Sequence, residues 1–356
     1  MSILFIGSTG DHAGQSLIAW AIAQRLSEKG LAVGFLKPFG TKLIRMNNRW
    51  TDPDAFLFKE VFNLPEPLEA ICPFMTSETI GPHQGPVDLM DQIQSIVHER
   101  LAEKDLLIIL GAKHIFFDDV PHPLPDISII NELNADLVLA HRYKKVSTSL
   151  YSILSVISLL KEKVKGVIIN RVPNEQLNDV REKISPALVQ NKMAAVTVLP
   201  EDQILSLWSI REIRDILNGE IIWGEDLLDS PVDGMTVGTA DLYGEILLFK
   251  RVYNKIILLG PSQTPLVRKG QTESRSIAGI LLTGNREPAE KVVETAKKAK
   301  IPLILVKEDN FSAKEHLEMS TPTLTPSDQD KILHFTKMMD RDDSLNRLIG
   351  SLGIIR

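Results

Sequence analysis

Cysteine is almost missing from this chain. Cys72 is the single one in 356 residues, which excludes an internal disulfide, a cysteine-rich zinc site and an iron–sulfur cluster. Positive charge is also scarce: 40 Lys and Arg face 46 Asp and Glu, a formal net charge of −6, with no basic block. Nucleic acid and anionic membrane surfaces are therefore not expected partners. No run reaches the roughly 18 uncharged apolar residues that a membrane span needs. The best stretch, Val146 to Leu160, is shorter and interrupted by serines. The N-terminus lacks a basic region before its short apolar run, so that run reads as a strand and not as a signal peptide. The expected compartment is the cytoplasm. Repeats and low-complexity tracts are absent too.

What is present is an ordinary core-forming composition, 44% hydrophobic and 24% charged, long enough for two domains. Apolar runs at Ser2–Ile6, Leu31–Leu36, Asp105–Leu110, Asp136–Ala140, Val164–Asn170 and Met193–Leu199 alternate with helical patterns at Leu17–Leu26, Leu89–Leu101 and Thr148–Lys161. Strands apolar on both faces, separated by helices, predict an α/β parallel sheet. After Pro200 a second, smaller α/β unit is expected. Its helix Ser209–Leu217 precedes strands at Lys255–Leu259, Ile277–Leu282 and Pro302–Val306, with a helix over Pro288–Ala299. A C-terminal helical segment, Ser327–Leu348, starts at a Ser327 cap. The boundaries fall at 1–205, 206–325 and 326–356.

The first strand runs into Gly7-Ser8-Thr9-Gly10-Asp11-His12-Ala13-Gly14-Gln15-Ser16 and then a helix. Glycines there let backbone N–H groups converge, and the helix N-terminus adds partial positive charge, which is the context of a phosphate loop. The template G-x-x-x-x-G-K-[ST] is broken twice: the spacing from Gly7 is longer, and Gln15 stands where lysine belongs. Glutamine donates a hydrogen bond but brings no charge, so stabilisation of a transferring phosphate should fall by several kcal/mol. Ser16 retains an oxygen for magnesium. A glycine-rich turn without a ligand is the competing reading.

Together, Ser8-Thr9 to Gly14-Gln15-Ser16, Gly34-Phe35-Leu36-Lys37-Pro38, Asp52-Pro53-Asp54, Gly166 to Pro173 and Leu199-Pro200-Glu201-Asp202 resemble dethiobiotin-synthetase-like P-loop proteins. That group includes the cobyrinate synthetases and the N-terminal region of long bacterial phosphotransacetylases. Glu212-Ile213, Gly219-Glu220, Gly224-Glu225, Val237-Gly238, Ile277 to Gly284 and Ile301 to Lys307 resemble the DRTGG domain. The resemblance implies a P-loop NTPase-like sheet followed by a DRTGG-like domain. It implies phosphate binding by the loop Ser8 to Ser16, through Ser8, Thr9, Gly10, Asp11, His12, Ala13, Gly14, Gln15 and Ser16. Ser16 and Asp54 would lie near magnesium, Lys37 would face a substrate carboxylate or phosphate, and Asn170 and Pro200 would lie beside adenine. ATP or ADP with magnesium is the implied cofactor, or none.

Three positions depart from that pattern: Gln15 for lysine, Leu110 for a strand-end acid, and an uncharged Gly260-Pro261-Ser262-Gln263-Thr264-Pro265 in the second domain. Leucine offers a hard cation no oxygen. The chain also stops after the second domain, so acetyl transfer is not expected. The favoured expectation is a regulatory or scaffolding protein, a homo-oligomer such as a dimer, which takes a nucleotide or other anionic small molecule. The alternative is an ATP-dependent carboxylate ligase of the dethiobiotin or cobyrinate synthetase class, with Lys37 as its catalytic candidate. A sensor with its ligand near Thr283-Gly284-Asn285 is a third possibility.

Other residues read more simply. Asp52 and Asp54 also suit a helix start. His83, His114, His122 and His141 lack zinc spacing and read as surface or structural. Arg142-Tyr143-Lys144-Lys145 is a solvated loop or an anion site. Trp50, Trp208 and Trp223 suit packing or interface roles, and Cys72 is expected to be buried.

Overall fold

The computed structural model describes residues 2–42, 44–46, 49–75, 86–116, 124–193, 195–232, 234–237, 255–259, 277–285, 287–288, 290–320, 324–326 and 328–353. The chain divides into two compact units, one of residues 1–202 and 324–356, the other of residues 203–323.

In the first unit, β1 (Ser2–Ser8) leads through a loop to α1 (Gln15–Glu28). Then follow β2 (Val33–Leu36), α2 (Pro53–Phe62), α3 (Pro86–Leu101), β3 (Leu106–Leu110), α4 (Asp126–Glu132), β4 (Asp136–Arg142), α5 (Val146–Leu160), β5 (Val164–Val172) and β6 (Ala195–Pro200). The six strands form one parallel sheet in the order β6-β5-β4-β1-β3-β2. Leu4, Phe5 and Ile6 of β1 and the whole of β3 are buried, as strands covered by helices on both faces must be. With β1 between β4 and β3, its C-terminal end opens at the middle of the sheet edge, where ligands bind in open α/β sheets. Helix α1 buries Ile18, Ala19, Ala21, Ile22 and Leu26 and stops where Gly30 adopts φ +84°.

An aromatic cluster fixes α2 to α1 and β2. Phe58 of α2 stacks on Phe35 of β2 at 3.7 Å, while Trp20 of α1 meets Phe58 at 6.0 Å and Phe62 at 5.5 Å. Each ring of this kind contributes roughly 1.5–3 kcal/mol when buried. The cluster thereby sets the distance between Ser16, Lys37 and Asp54, each of which lies at the start or end of one of these elements.

Two helices close the first unit, α9 (Gln329–Asp340) and α10 (Ser344–Ser351) in the chain's overall count. The sequence pattern predicts one helical segment there; it is broken at Arg341–Asp343, where Asp343 takes φ +56°. Leu348 of α10 sits on Gly166 of β5 so closely that a Cβ would strike its Cδ1. Arg25 of α1 holds Asp340 with two hydrogen bonds, at 2.6 and 2.7 Å.

The second unit contains α6 (Ile210–Ile216), β7 (Glu220–Trp223), β8 (Gly234–Val237), β9 (Lys255–Leu259), β10 (Ile277–Leu282), α7 (Glu290–Ala299), β11 (Leu303–Leu305) and α8 (Asn310–Met319). Its sheet runs β7-β11-β10-β9-β8, parallel except for the edge strand β7. Ser209 and Glu212 form a reciprocal capping box on α6. The periodicity missed β7 and β8, four-residue edge strands. The uncharged 260–265 stretch, Gly238, the loop around His83, His122 and the Ser327 cap lie outside the described residues. Among the described residues, no helix is long and apolar enough to cross a membrane.

Candidate functional site

The loop between β1 and α1 is pinned from several sides. Ser8, fully buried, donates its hydroxyl to Gly10 O at 2.5 Å and accepts from Gly10 N–H at 3.1 Å. Thr9 N–H donates to Ala140 O of β4 at 3.2 Å. Gly14 sits at φ +86° just before α1, and a Cβ there would strike Nδ2 of Asn170. Only glycine meets both demands. The same Asn170 Nδ2 donates to Ala13 O at 3.0 Å, so the end of β5 braces the loop. The result is a sharply turned backbone running into a helix N-terminus, a shape suited to anions.

The Gln15 amide is engaged by the protein's own main chain. Its Nε2 donates to Ala112 O at 2.9 Å and to Ile6 O at 3.4 Å, main-chain carbonyls at the ends of β3 and β1. The adjacent strand end offers no acid: Leu110 is buried and apolar. The carboxylate nearby is Asp126, also buried, and it accepts from Ala112 N–H at 2.9 Å. The Ala112 peptide thus links Gln15 and Asp126.

A second cluster forms at the end of β2. Lys37 Nζ lies 2.5 Å from Asp54 Oδ2 and 2.9 Å from Asp52 Oδ1. Lys37 and Asp52 are both buried. Asp52 caps α2 by accepting from Asp54 N–H at 2.9 Å, and its other oxygen accepts from Thr41 N–H at 3.1 Å and Lys42 N–H at 3.3 Å. Asp54 also takes a hydrogen bond from Ser16. Burial opposes charge on Lys37, but Asp52 and Asp54 outweigh it and hold the ammonium well above its ordinary range. Burial likewise opposes charge on Asp54, yet Lys37 and then Ser16 bring its carboxyl below the ordinary range. For Asp52 burial prevails over Lys37 and raises the carboxyl. The Asp52-Pro53-Asp54 pattern is therefore both a cap and an ion-pair partner.

Would this corner suit magnesium? Ser16 and Asp54 present hard oxygens side by side, the donor type magnesium takes. No group of three His, Cys, Asp or Glu side chains able to hold a metal exists among the described residues. Lys42 also feels Asp54 and Lys37, so two carboxylates face two ammonium groups and leave no surplus negative charge. Ser16 and Asp54 are the oxygens of this corner that a magnesium ion would use, and phosphate oxygens and water would have to complete its shell.

Two features go beyond the sequence pattern, in which His141 reads as surface or structural, His12 belongs to the phosphate loop and Arg142 lies in a solvated loop or an anion site. His141 is 3% exposed at the end of β4, its Nδ1 2.6 Å from Thr9 Oγ1, while its Nε2 has no hydrogen-bond partner. Burial, with Lys144 adding to it, pushes its pKa down to about 4. Its place at the end of a strand neighbouring β1 was the available signal. The second feature is a gathering of cations: burial lowers the pKa of His12, with Asp11 opposing and Arg142, Arg171 and Lys42 adding to the fall. Lys113 lies 3.7 Å from Asp11.

The fold brings Ser8, Thr9, Gly10, Ala13, Gly14, Gln15, Ser16, Lys37, Asp54 and Asn170 to one edge of the sheet. Pro200 ends β6 opposite Val172, two residues beyond Asn170. Among the histidines, His114 bridges back to Thr9. Cys72 is buried, and burial followed by Asp52 pushes its thiol up. Trp50 is exposed.

A parallel sheet with a glycine-rich loop leading from its central strand into a helix defines a P-loop-type α/β protein. The chain belongs to the AAA domain family, whose match spans residues 2–207, and a DRTGG domain match follows over residues 212–320. It is 24% identical over 370 residues to a phosphate acetyltransferase of Synechocystis, which covers 100% of this chain and 52% of the relative. It is 24% identical over 220 residues to the ATP-dependent dethiobiotin synthetase BioD of Clostridium kluyveri, covering 56% of this chain and 89% of the relative. Among solved structures, the septum site-determining protein MinD complexed with Mg-ADP from Pyrococcus horikoshii matches at 16% identity and a TM-score of 0.35, covering 59% of this chain and 84% of that one. The chain spans about half the length of the phosphate acetyltransferases it matches.

Proposed function

We propose that this chain is a regulatory or scaffolding protein that binds a nucleotide or a related phosphorylated anion at the edge of its main sheet without turning it over. The observation that carries this reading is the orientation of Gln15, whose amide donates to Ala112 and Ile6 carbonyls. The loop keeps the backbone that binds phosphate and lacks a cation that follows charge onto a leaving group. Lys37 does not make up the loss, because two carboxylates already neutralise it. Adenine would lie beside Asn170 and Pro200, and Ser16 and Asp54 would hold magnesium once a phosphate completes its shell. Cytoplasmic location and assembly as a homodimer belong to the same reading.

Calorimetry with ADP and ATP, with and without magnesium, tests it together with phosphate release over hours. Binding without release is the expected outcome; steady ATP turnover abolished by Lys37→Ala would overturn it. Turnover of that kind would favour an ATP-dependent carboxylate ligase. The Lys37, Asp54 and Ser16 cluster and the similarity to ATP-dependent dethiobiotin synthetases speak for that second reading.

A further inference from the structure

We infer that Arg142 and Arg171 form a cationic subsite beside the phosphate loop, which receives a second phosphate group of a di- or triphosphate ligand. This deepens the reading above and rests on the loop holding the first phosphate. The geometry begins with strand pairing: Arg142, at the end of β4, lies opposite Asn170 of β5. Tyr143 N–H donates to Asn170 O at 2.9 Å, locking the two strand ends together. Asn170 in turn touches the loop at Ala13. Arg171 is thus one residue from the loop's brace. Its backbone is held at φ +57°, and its N–H donates to Asn170 Oδ1 at 2.8 Å.

Neither guanidinium makes a hydrogen bond or a close ion pair among the described residues. Arg171 is only partly exposed, and Arg142 repels it, with Glu201 the acidic group that pulls the other way. Two arginines whose charges reach one loop make that edge cationic, and the planar fork of arginine matches phosphate oxygens in pairs. Both arginines reach His12 of the loop electrostatically, with Asp11 as the opposing acid. The positive charge that Gln15 withholds from inside the loop is present just outside it. A charge there holds a ligand but does not follow a transferring phosphate, so this arrangement suits retention over turnover.

The test uses the full chain, with inorganic tripolyphosphate, orthophosphate and ADP as probes in calorimetry. Variants are Arg142→Gln, Arg171→Gln and Arg171→Lys, each checked for folding by thermal denaturation. Tripolyphosphate is expected to bind more tightly than orthophosphate. Each glutamine variant should weaken it by about tenfold or more, the size of a lost charge-assisted contact, and Arg171→Lys should retain part of it. Because Arg142 lies at an exposed strand end, its variant remains informative if Arg171→Gln fails to fold. Unchanged binding of tripolyphosphate and ADP by folded glutamine variants would overturn the subsite and leave the nucleotide reading standing. Binding of tripolyphosphate but not ADP, lost in the variants, would support the subsite and remove the nucleotide reading. No binding of any probe by the wild-type chain would overturn both.

Discussion

The phosphate loop and the corner at the end of β2 lie at the same sheet edge and handle charge in opposite ways. The loop carries no lysine or arginine, and its shape is held by neutral hydrogen bonds: Ser8 to Gly10, Asn170 to Ala13, Gln15 to Ala112. The corner is fully charged, with Lys37 buried between Asp52 and Asp54. Neutral contacts can be removed one at a time at modest cost, whereas a buried charge removed from its partner leaves the partner stranded. The loop should therefore tolerate substitution at Gln15, while the corner should not tolerate loss of Lys37.

The sharpest way to break this comparison is Lys37→Met. It removes the ammonium that sits between Asp52 and Asp54 and leaves only Lys42 near two carboxylates, and stability in urea should fall by about 3–5 kcal/mol, the cost of unpairing a buried charge. The partner variant Lys37→Met with Asp54→Asn should recover part of that loss. A loss below about 1 kcal/mol for Lys37→Met would mean that Lys37 is solvated and that the corner is no more constrained than the loop.

A smaller effect sharpens the comparison from the loop's side. His141, against Thr9, stays neutral in the folded chain down to about pH 4, whereas in the unfolded chain it takes up a proton near 6.5. Between these values the unfolded state binds more protons, so stability from this residue is full above about pH 6.5 and is lost as pH falls towards 4. The loss reaches up to about 3 kcal/mol. His141→Gln keeps a side chain able to reach Thr9 and removes the titration. Urea unfolding at pH 7 and 4.5 should show a shallower acid loss in the variant; equal acid losses would place the His141 ring in contact with water.

Much of this was legible in the sequence, because the determinants are local. The runs Asp105–Leu110 and Val164–Asn170 carry the apolar pattern of doubly covered strands, and Gly10 and Gly14 mark the turn into α1. The missing lysine and strand-end acid are single-residue facts. What stayed hidden depends on tertiary neighbours. Asp52-Pro53-Asp54 reads equally as a cap or a ligand pair until Phe58 packs on Phe35 and brings Lys37 between the carboxylates. Arg142 reads as part of a solvated loop or an anion site until strand register places it opposite Asn170. The C-terminal helices read as a tail, and only contacts such as Leu348 on Gly166 and Arg25 with Asp340 join them to the first unit.

The mildest prediction asks whether Gln15 is only a spacer. Gln15→Ala removes a donor from the Ala112 carbonyl. The cost should be about 1 kcal/mol, that of one neutral hydrogen bond, far below the loss from Lys37→Met. Gln15→Met fills the same space without a donor and should cost about as much, since volume is retained and only the hydrogen bond goes. If Gln15→Met were neutral while Gln15→Ala destabilised, packing and not the amide would set the loop's position, and the bonds to Ala112 and Ile6 would be incidental. If both variants cost as much as Lys37→Met, the contrast between a forgiving loop and an unforgiving corner would fail, because the Ala112 peptide, held between Gln15 and Asp126, would then be as constrained as a buried ion pair.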